Sequence, residues 1–151
     1  MPTSEPVLRV LCVDDNHDIA DTLGVLLDLV GFEARVCYDG VSALIAAEEF
    51  RPDAAIIDLM MPGMDGVELG RRLRARPWAA GLPLVAVTAL GDEEARRRTT
   101  EAGFDLHLTK PVEPDRLANV LADLVIMRGD SVERPLPARA AEAFGRPAPP
   151  G

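Results

Sequence analysis

The feature that most constrains this chain is its alternation. Five short apolar runs recur along it, and a stretch with helical spacing follows each one. Residues 8–13 (L-R-V-L-C-V) read as a strand that stops abruptly at Asp14-Asp15-Asn16. Leu23, Leu26, Leu27 and Val30 then repeat on one helical face, and Gly31 is a natural stop. Residues 33–37 form a second strand, closed by Asp39-Gly40. Residues 41–50 read as a helix with Val41, Leu44 and Ile45 inward, ended by Arg51-Pro52. A third run, 54–57, terminates at Asp58, and the loop M-M-P-G-M-D-G leads to a helix over 67–76. A fourth run, 82–87, ends in Thr88, and a polar helix over 93–102 stops at Gly103. Residues 105–109 make a fifth strand closed by Lys110-Pro111, and the last helix spans 114–127 with Pro114 at its first position.

Strands one, three and four are apolar throughout, as parallel strands covered on both faces must be. Five strands separated by single helices predict an α/β fold: a doubly wound, five-stranded parallel sheet of order 2-1-3-4-5, flavodoxin-like, with right-handed crossovers. The expected organisation is a short lead at 1–6, one domain at 7–128 and a Pro/Ala-rich tail at 129–151. The segment from Arg134 onward holds five of the chain's 13 prolines and only two large apolar residues, Leu136 and Phe144. Such a composition cannot offset its own ordering entropy, so a flexible tail is expected, with a partner-binding peptide within it as the alternative.

Charge narrows the function. Residues 1–129 carry 13 basic and 22 acidic side chains, which accounts for the whole net charge of −9. That disfavours bulk nucleic-acid or anionic-membrane binding. Arg71, Arg72, Arg74 and Arg76 spread around a helix and read as a solvated face. Arg96, Arg97 and Arg98 follow Asp92, Glu93 and Glu94 and are expected to pair locally. No apolar run approaches the roughly 18–20 residues of a membrane span, and the start M-P-T-S-E-P has no secretory pattern. Cys12 and Cys37 sit in strand-like runs without metal-ligand spacing, so buried free thiols and a cytoplasmic, reducing location are expected. Of 16 basic residues, one alone is lysine, Lys110.

The strand ends carry the chemistry. In a parallel sheet all the strand C-termini lie along one edge, where ligands bind. Asp14-Asp15, Asp58, Thr88 and Lys110 therefore converge. Clustered carboxylates share a proton or recruit a cation, and hard oxygen ligands with open positions suit magnesium or manganese. A nucleophile, a divalent cation and fixed donors are the parts that phosphoryl transfer needs. With no glycine-rich nucleotide loop and no histidine or serine constellation, the nucleophile is a carboxylate. Asp58, central in the sheet, is the best placed, and its product is an acyl phosphate.

These residues resemble the receiver domains of two-component response regulators. The likeness covers about residues 7–127 and rests on V-D-D ending at Asp15, I-I-D-L-M-M-P-G-M-D-G around Asp58, V-T-A around Thr88 and T-K-P around Lys110. The resemblance implies that Asp58 accepts a phosphoryl group from a phosphohistidine of a histidine kinase or histidine phosphotransfer protein. It implies metal binding by Asp15, Asp58 and the backbone carbonyl of Met60, with Asp14 acting through water. Thr88 would hydrogen-bond the phosphoryl group and draw the following loop inward. Lys110 would pair with Asp58 or its phosphate, and the Lys110-Pro111 peptide is expected to be cis. Pro62, Gly63 and Gly66 would shape the adjoining loop. Ile19 continues the first helix's apolar stripe. It is either core or, by resemblance, exposed for docking the partner's helices.

The chain also departs from the family pattern. His107 stands where receivers usually carry Tyr or Phe, in a manner similar to receivers attached to hybrid histidine kinases. It is either a switch residue open to pH or a space-filler. Met60 and Leu90 occupy positions that in receivers tune access of water, and both are apolar, so a long-lived phosphoryl-aspartate is expected.

The expected function is a switch or phosphorelay intermediate, not an enzyme, with output through the fourth helix, fifth strand and fifth helix onto an unidentified protein target. Only some 22 residues remain after the last helix, so no output domain is expected, nor nucleic-acid or membrane binding. The chain is expected to be a monomer or weak homodimer. Two alternatives stand beside this reading. A hydrolase with an aspartyl-phosphate intermediate usually shows a second aspartate two residues after the nucleophile, where this chain has Met60. A receiver-like interaction module that is never phosphorylated is disfavoured by the intact acidic cluster and lysine.

Overall fold

The structure is a computed structural model that describes residues 7–89, 93–110 and 112–127. The lead at 1–6, the tail at 129–151, Leu90, Asp92 and the Lys110-Pro111 peptide, on which several expectations fall, lie outside the described residues.

Five strands, β1 (Arg9–Val13), β2 (Glu33–Cys37), β3 (Ala54–Asp58), β4 (Leu84–Thr88) and β5 (Leu106–Thr109), form one sheet of order β2-β1-β3-β4-β5. Every pairing is parallel. Between and after them lie α1 (His17–Leu29), α2 (Gly40–Phe50), α3 (Gly66–Arg74), α4 (Glu93–Ala102) and α5 (Pro114–Met127). The α/β sandwich expected from the alternation is the fold observed. None of the described helices is long and apolar enough to cross a membrane.

Local chemistry starts and stops the helices. Asn16, Asp39 and Asp65 each cap a helix by accepting a backbone N–H with the side chain. Gly31 and Gly103 take positive φ just beyond α1 and α4. Successive strand side chains point to opposite faces, so the sheet builds two cores. Leu11, Val13, Ala55, Ile57, Leu84 and Ala86 pack under α2, α3 and α4, with Leu69, Leu73 and Phe104. Val10, Cys12, Ile56, Val85 and Val87 pack against Leu27 of α1 and Leu117 and Leu121 of α5.

Helix α2 corrects the sequence reading. Val41 and Ile45 face solvent, at 60% and 62% exposure, while Ala43, Ala46, Ala47 and Phe50 are buried. The periodicity reading weighted side-chain size, whereas close packing on the sheet selected the alanine stripe. Helix α3 ends at Arg74, two residues short of expectation, because Pro77 opens a 3-10 turn, Pro77–Ala79. Cys12 and Cys37 are free and buried, as expected.

Candidate functional site

The C-terminal edge of the sheet gathers the polar strand ends. Asp14 follows β1 directly, and its N–H donates to the Cys37 carbonyl at 3.1 Å, which ties it to the end of β2. Its Oδ1 accepts the Asn16 N–H at 3.0 Å. Asp58 closes β3, and Leu59 N–H bonds the Val87 carbonyl at 3.0 Å. The Lys110 N–H bonds the Thr88 carbonyl at 2.7 Å, which anchors the lysine backbone to β4.

Carboxylate oxygens of Asp14, Asp15 and Asp58 lie within 4.8 Å of one another. Asp14 and Asp58 are buried and Asp15 is exposed, so the cluster opens to solvent on one side. Lys110 Nζ sits between the two buried carboxylates, 3.3 Å from Asp14 Oδ2 and 3.4 Å from Asp58 Oδ1. Asp58 Oδ1 also accepts the Met60 N–H at 3.3 Å. One ammonium against three carboxylates leaves negative charge in excess. Burial, seconded by the Asp14 charge and opposed by Lys110, pushes the Asp58 carboxyl up to about 6. An all-oxygen donor set carrying surplus negative charge fits a hard divalent cation better than any soft metal.

The other residues singled out in the sequence fall in different places. Thr88 is buried at the end of β4 and lines a cavity of about 350 Å³ between the loop after β3 and α4. Met60, 58% exposed, lines the same cavity. Ile19 is 46% exposed in the first turn of α1, so it is not a core residue. It lines a larger cavity that also reaches Asp14, Asp58 and Lys110. His107, on β5, pairs in register with Ala86 of β4, borders neither cavity and is not one of the residues of the acidic cluster.

Glycine spacing holds the site loop against the sheet. Gly66 opens α3, and a Cβ there would lie 2.3 Å from the Asp58 carbonyl oxygen. The N–H of Gly66 bonds the Leu59 carbonyl at 3.0 Å. Gly63 has φ +76, a conformation other residues rarely adopt.

Sequence reasoning missed several connections. Arg74 is not a solvated charge. Its guanidinium donates to the carbonyls of Ala79, Ala80 and Gly103 and to Asp105, at 2.6–3.2 Å, joining α3 to the loop before β5. Arg71 and Arg72 pair with Glu68, and Arg76 with Glu48. Arg97 pairs with Glu94 as expected, but Arg98 reaches Asp65, the N-cap of α3, at 3.4 Å. Nothing in linear spacing signals a partner 33 positions away.

Comparison with known proteins agrees with this geometry. Residues 10–122 match the response regulator receiver domain family. The chain is 40% identical over 109 residues to the DNA-binding response regulator MtrA of Mycolicibacterium paratuberculosis, covering 72% of this chain and 47% of that protein. It is 38% identical over 117 residues to the phosphate regulon transcriptional regulatory protein PhoB of Rhizobium meliloti, covering 77% and 52%. The chain thus spans about half the length of these curated relatives. Among solved structures, chemotaxis protein CheY4 of Vibrio cholerae superposes with a TM-score of 0.76 at 28% identity, covering 79% of this chain and 99% of that one. The receiver domain of sensor histidine kinase PA1611 from Pseudomonas aeruginosa, solved with magnesium coordinated in its active site cleft, gives 0.73 at 28% identity, covering 80% and 98%. With residues 10–122 matching the family model and the five-stranded parallel sheet shared with these structures, the chain belongs to the response regulator receiver domain family of two-component signalling.

Proposed function

We propose that this chain is a magnesium-dependent phosphoacceptor, with Asp58 as the residue that takes the phosphoryl group. The observation that carries the reading is a nearly buried Asp58 carboxylate with Lys110 Nζ 3.4 Å away and two further carboxylates alongside. Asp14, Asp15, Asp58 and the Met60 carbonyl are the groups that would hold the cation. A bound divalent ion supplies positive charge to the phosphoryl oxygens and offsets repulsion from the carboxylates.

The chain's own residues do the rest. Asp58 Oδ attacks phosphorus; the phosphorus–nitrogen bond of a phosphohistidine breaks as the oxygen–phosphorus bond forms, and the imidazole nitrogen keeps the electron pair. Lys110 neutralises the acceptor beforehand and afterwards pairs with the phosphoryl oxygens. Thr88 supplies a hydroxyl to the incoming group from the end of β4. The donor is a histidine kinase or histidine phosphotransfer protein, and exposed Ile19, beside the acceptor, is part of the surface it docks against. Apolar Met60 at the mouth slows attack by water and prolongs the phosphorylated state. Output passes through α4, β5 and α5 to a protein target, with His107 on β5 as a switch position. DNA binding is named for the longer relatives MtrA and PhoB, of which this chain matches about half. The domain spans 7–128, and two free cysteines suit a reducing, cytoplasmic compartment.

The test is incubation with acetyl phosphate and magnesium. The reading expects stoichiometric labelling that is lost in Asp58→Asn. Multiple turnovers on phosphoesters would instead indicate a hydrolase, and absence of labelling would leave an interaction module.

A further inference from the structure

Val25 on α1 and Val41 and Ile45 on α2 are more than half exposed, and none of them borders the phosphoacceptor site. All three flank one strand. Asp21 of α1 accepts the Tyr38 hydroxyl and Asp28 accepts the Ala34 N–H, so the side of α1 that carries Val25 lies toward β2. On the other face of the sheet, Glu49 of α2 pairs with Arg35 at 4.0 Å. Ile45 and Val41 stand one and two turns before Glu49 on the same side of that helix. The strand between them is an open edge. Among the described residues β2 pairs with β1 alone. The Glu33 N–H bonds the Leu8 carbonyl at 2.9 Å, and the Cys37 carbonyl accepts the Asp14 N–H at 3.1 Å. Residues 33, 35 and 37 thus direct their backbone groups at β1, and alternation turns those of Ala34 and Val36 outward. One outward donor is occupied from within the chain: the Ala34 N–H is held by Asp28 Oδ1 at 3.0 Å.

We propose that the free edge of β2 is a self-complementary surface for a second copy of this chain, and that Asp28 keeps it closed. Register identifies the occupant. In a twofold antiparallel pair centred on Ala34, the two Ala34 residues exchange both backbone hydrogen bonds. Glu33 of each copy then stands opposite Arg35 of the other, and opposite charges in that position attract. Both side chains are partly exposed on the α2 face and free to turn to a neighbour. A pair centred on Arg35 would instead set two guanidinium groups face to face. One centred on Val36 would set Arg35 opposite Cys37, with no ion pair. The favoured register needs both Ala34 N–H groups, and those are the groups that Asp28 holds. Edge strands are guarded against such pairing by charge, and here the guard falls on the donor at the twofold axis. With Asp28 withdrawn, the sheet runs on from one copy into the next, and Val25, Val41 and Ile45 are covered on its two faces.

The test is sedimentation equilibrium of the whole, unphosphorylated chain, so its outcome is independent of whether Asp58 accepts phosphate. Asp28→Ala removes the acceptor and puts a better helix former in α1, which keeps the helix intact. It is expected to dimerise at least about tenfold more tightly than the wild type, the worth of two freed backbone hydrogen bonds. Asp28→Asn retains a carbonyl oxygen for the Ala34 N–H and is expected to sediment as the wild type does. Adding Arg35→Glu to Asp28→Ala sets like charges across the axis and is expected to abolish the gain. Adding Glu33→Arg as well reverses both ion pairs and is expected to restore it. An Asp28→Ala variant that sediments as the wild type overturns the proposal, as does an Asp28→Asn variant that associates equally. Association that survives Arg35→Glu unchanged would place the contact elsewhere on the molecule and overturns it too. So does failure of the charge-reversed triple variant to recover the dimer.

Discussion

At Asp58, burial and a neighbouring carboxylate oppose ionisation while Lys110 favours it, and the balance lifts the carboxyl to about 6. An unfolded aspartate titrates near 3.8. The native state therefore binds the Asp58 proton more tightly than the unfolded state does. Its contribution to stability is fully present below about pH 4, is lost as pH rises through about 6, and is flat above that. In metal-free protein, Asp58→Asn is accordingly expected to stabilise the fold at pH 7.5 by on the order of 2 kcal/mol, seen as a higher melting temperature. That gain shrinks toward zero as pH approaches 4, and thermal scans across pH read it directly. A gain that is the same at both pH values would contradict the assignment. Lys110 is a second test at this scale. A compact ammonium fits between Asp14 and Asp58, and a planar guanidinium does not reproduce those two contacts. Lys110→Arg is expected to accept phosphate yet lose the conformational response, seen as unchanged amide spectra on labelling. Burial pushes the Cys12 thiol up to about 12, so it should resist alkylation in the native protein and react only after unfolding.

At the scale of elements, what holds the site is the fit between α3 and the sheet. A methyl group at Gly66 would meet the Asp58 carbonyl oxygen at 2.3 Å, and backbone cannot swing aside as a side chain can. Gly66→Ala is expected to slow Asp58 labelling by at least about tenfold, the effect of displacing a reacting group by a fraction of an ångström. Initial rates with acetyl phosphate measure this. Arg74→Ala removes donors to three backbone carbonyls and to Asp105, in a side chain 23% exposed. A loss of about 1–3 kcal/mol is expected in urea denaturation, with phosphorylation of the folded protein little changed. These connections mark the limit of what the sequence makes legible. Asp14, Asp58, Thr88 and Lys110 were readable because each closes a short apolar run, and parallel topology then fixes them to one edge. The phase of α2 was not, because Val41 and Ile45 look like core until the alanine stripe at Ala43, Ala46 and Ala47 is seen against the sheet. Arg74 was hidden for another reason: it bonds backbone carbonyls, which carry no signature in residue type. His107 was placed at its strand by spacing, but its distance from the acidic cluster depends on strand order and side-chain direction.

Over the whole molecule, the net charge of −9 divides into two parts with different consequences. Much of the acidity is matched by nearby arginine, as in Glu68 with Arg71 and Arg72 or Glu48 with Arg76. The cluster of Asp14, Asp15 and Asp58 is underneutralised by its single lysine, and on the proposed function it is where a divalent cation would add stability. The doubly wound sheet makes this possible by bringing loops that are distant in sequence to one edge, while its two apolar faces supply the rigidity that keeps carboxylates in close quarters. The central claim is that Asp58 itself becomes an acyl phosphate with the help of a cation. Borohydride reduction of protein treated with acetyl phosphate and magnesium, followed by peptide mass mapping, tests it most directly, because an aspartyl phosphate is reduced to homoserine. The account predicts homoserine at position 58 alone, and none when the metal is chelated. Reduction at Asp14 or Asp15 instead, or a product at position 58 that persists undiminished under chelation, would contradict it.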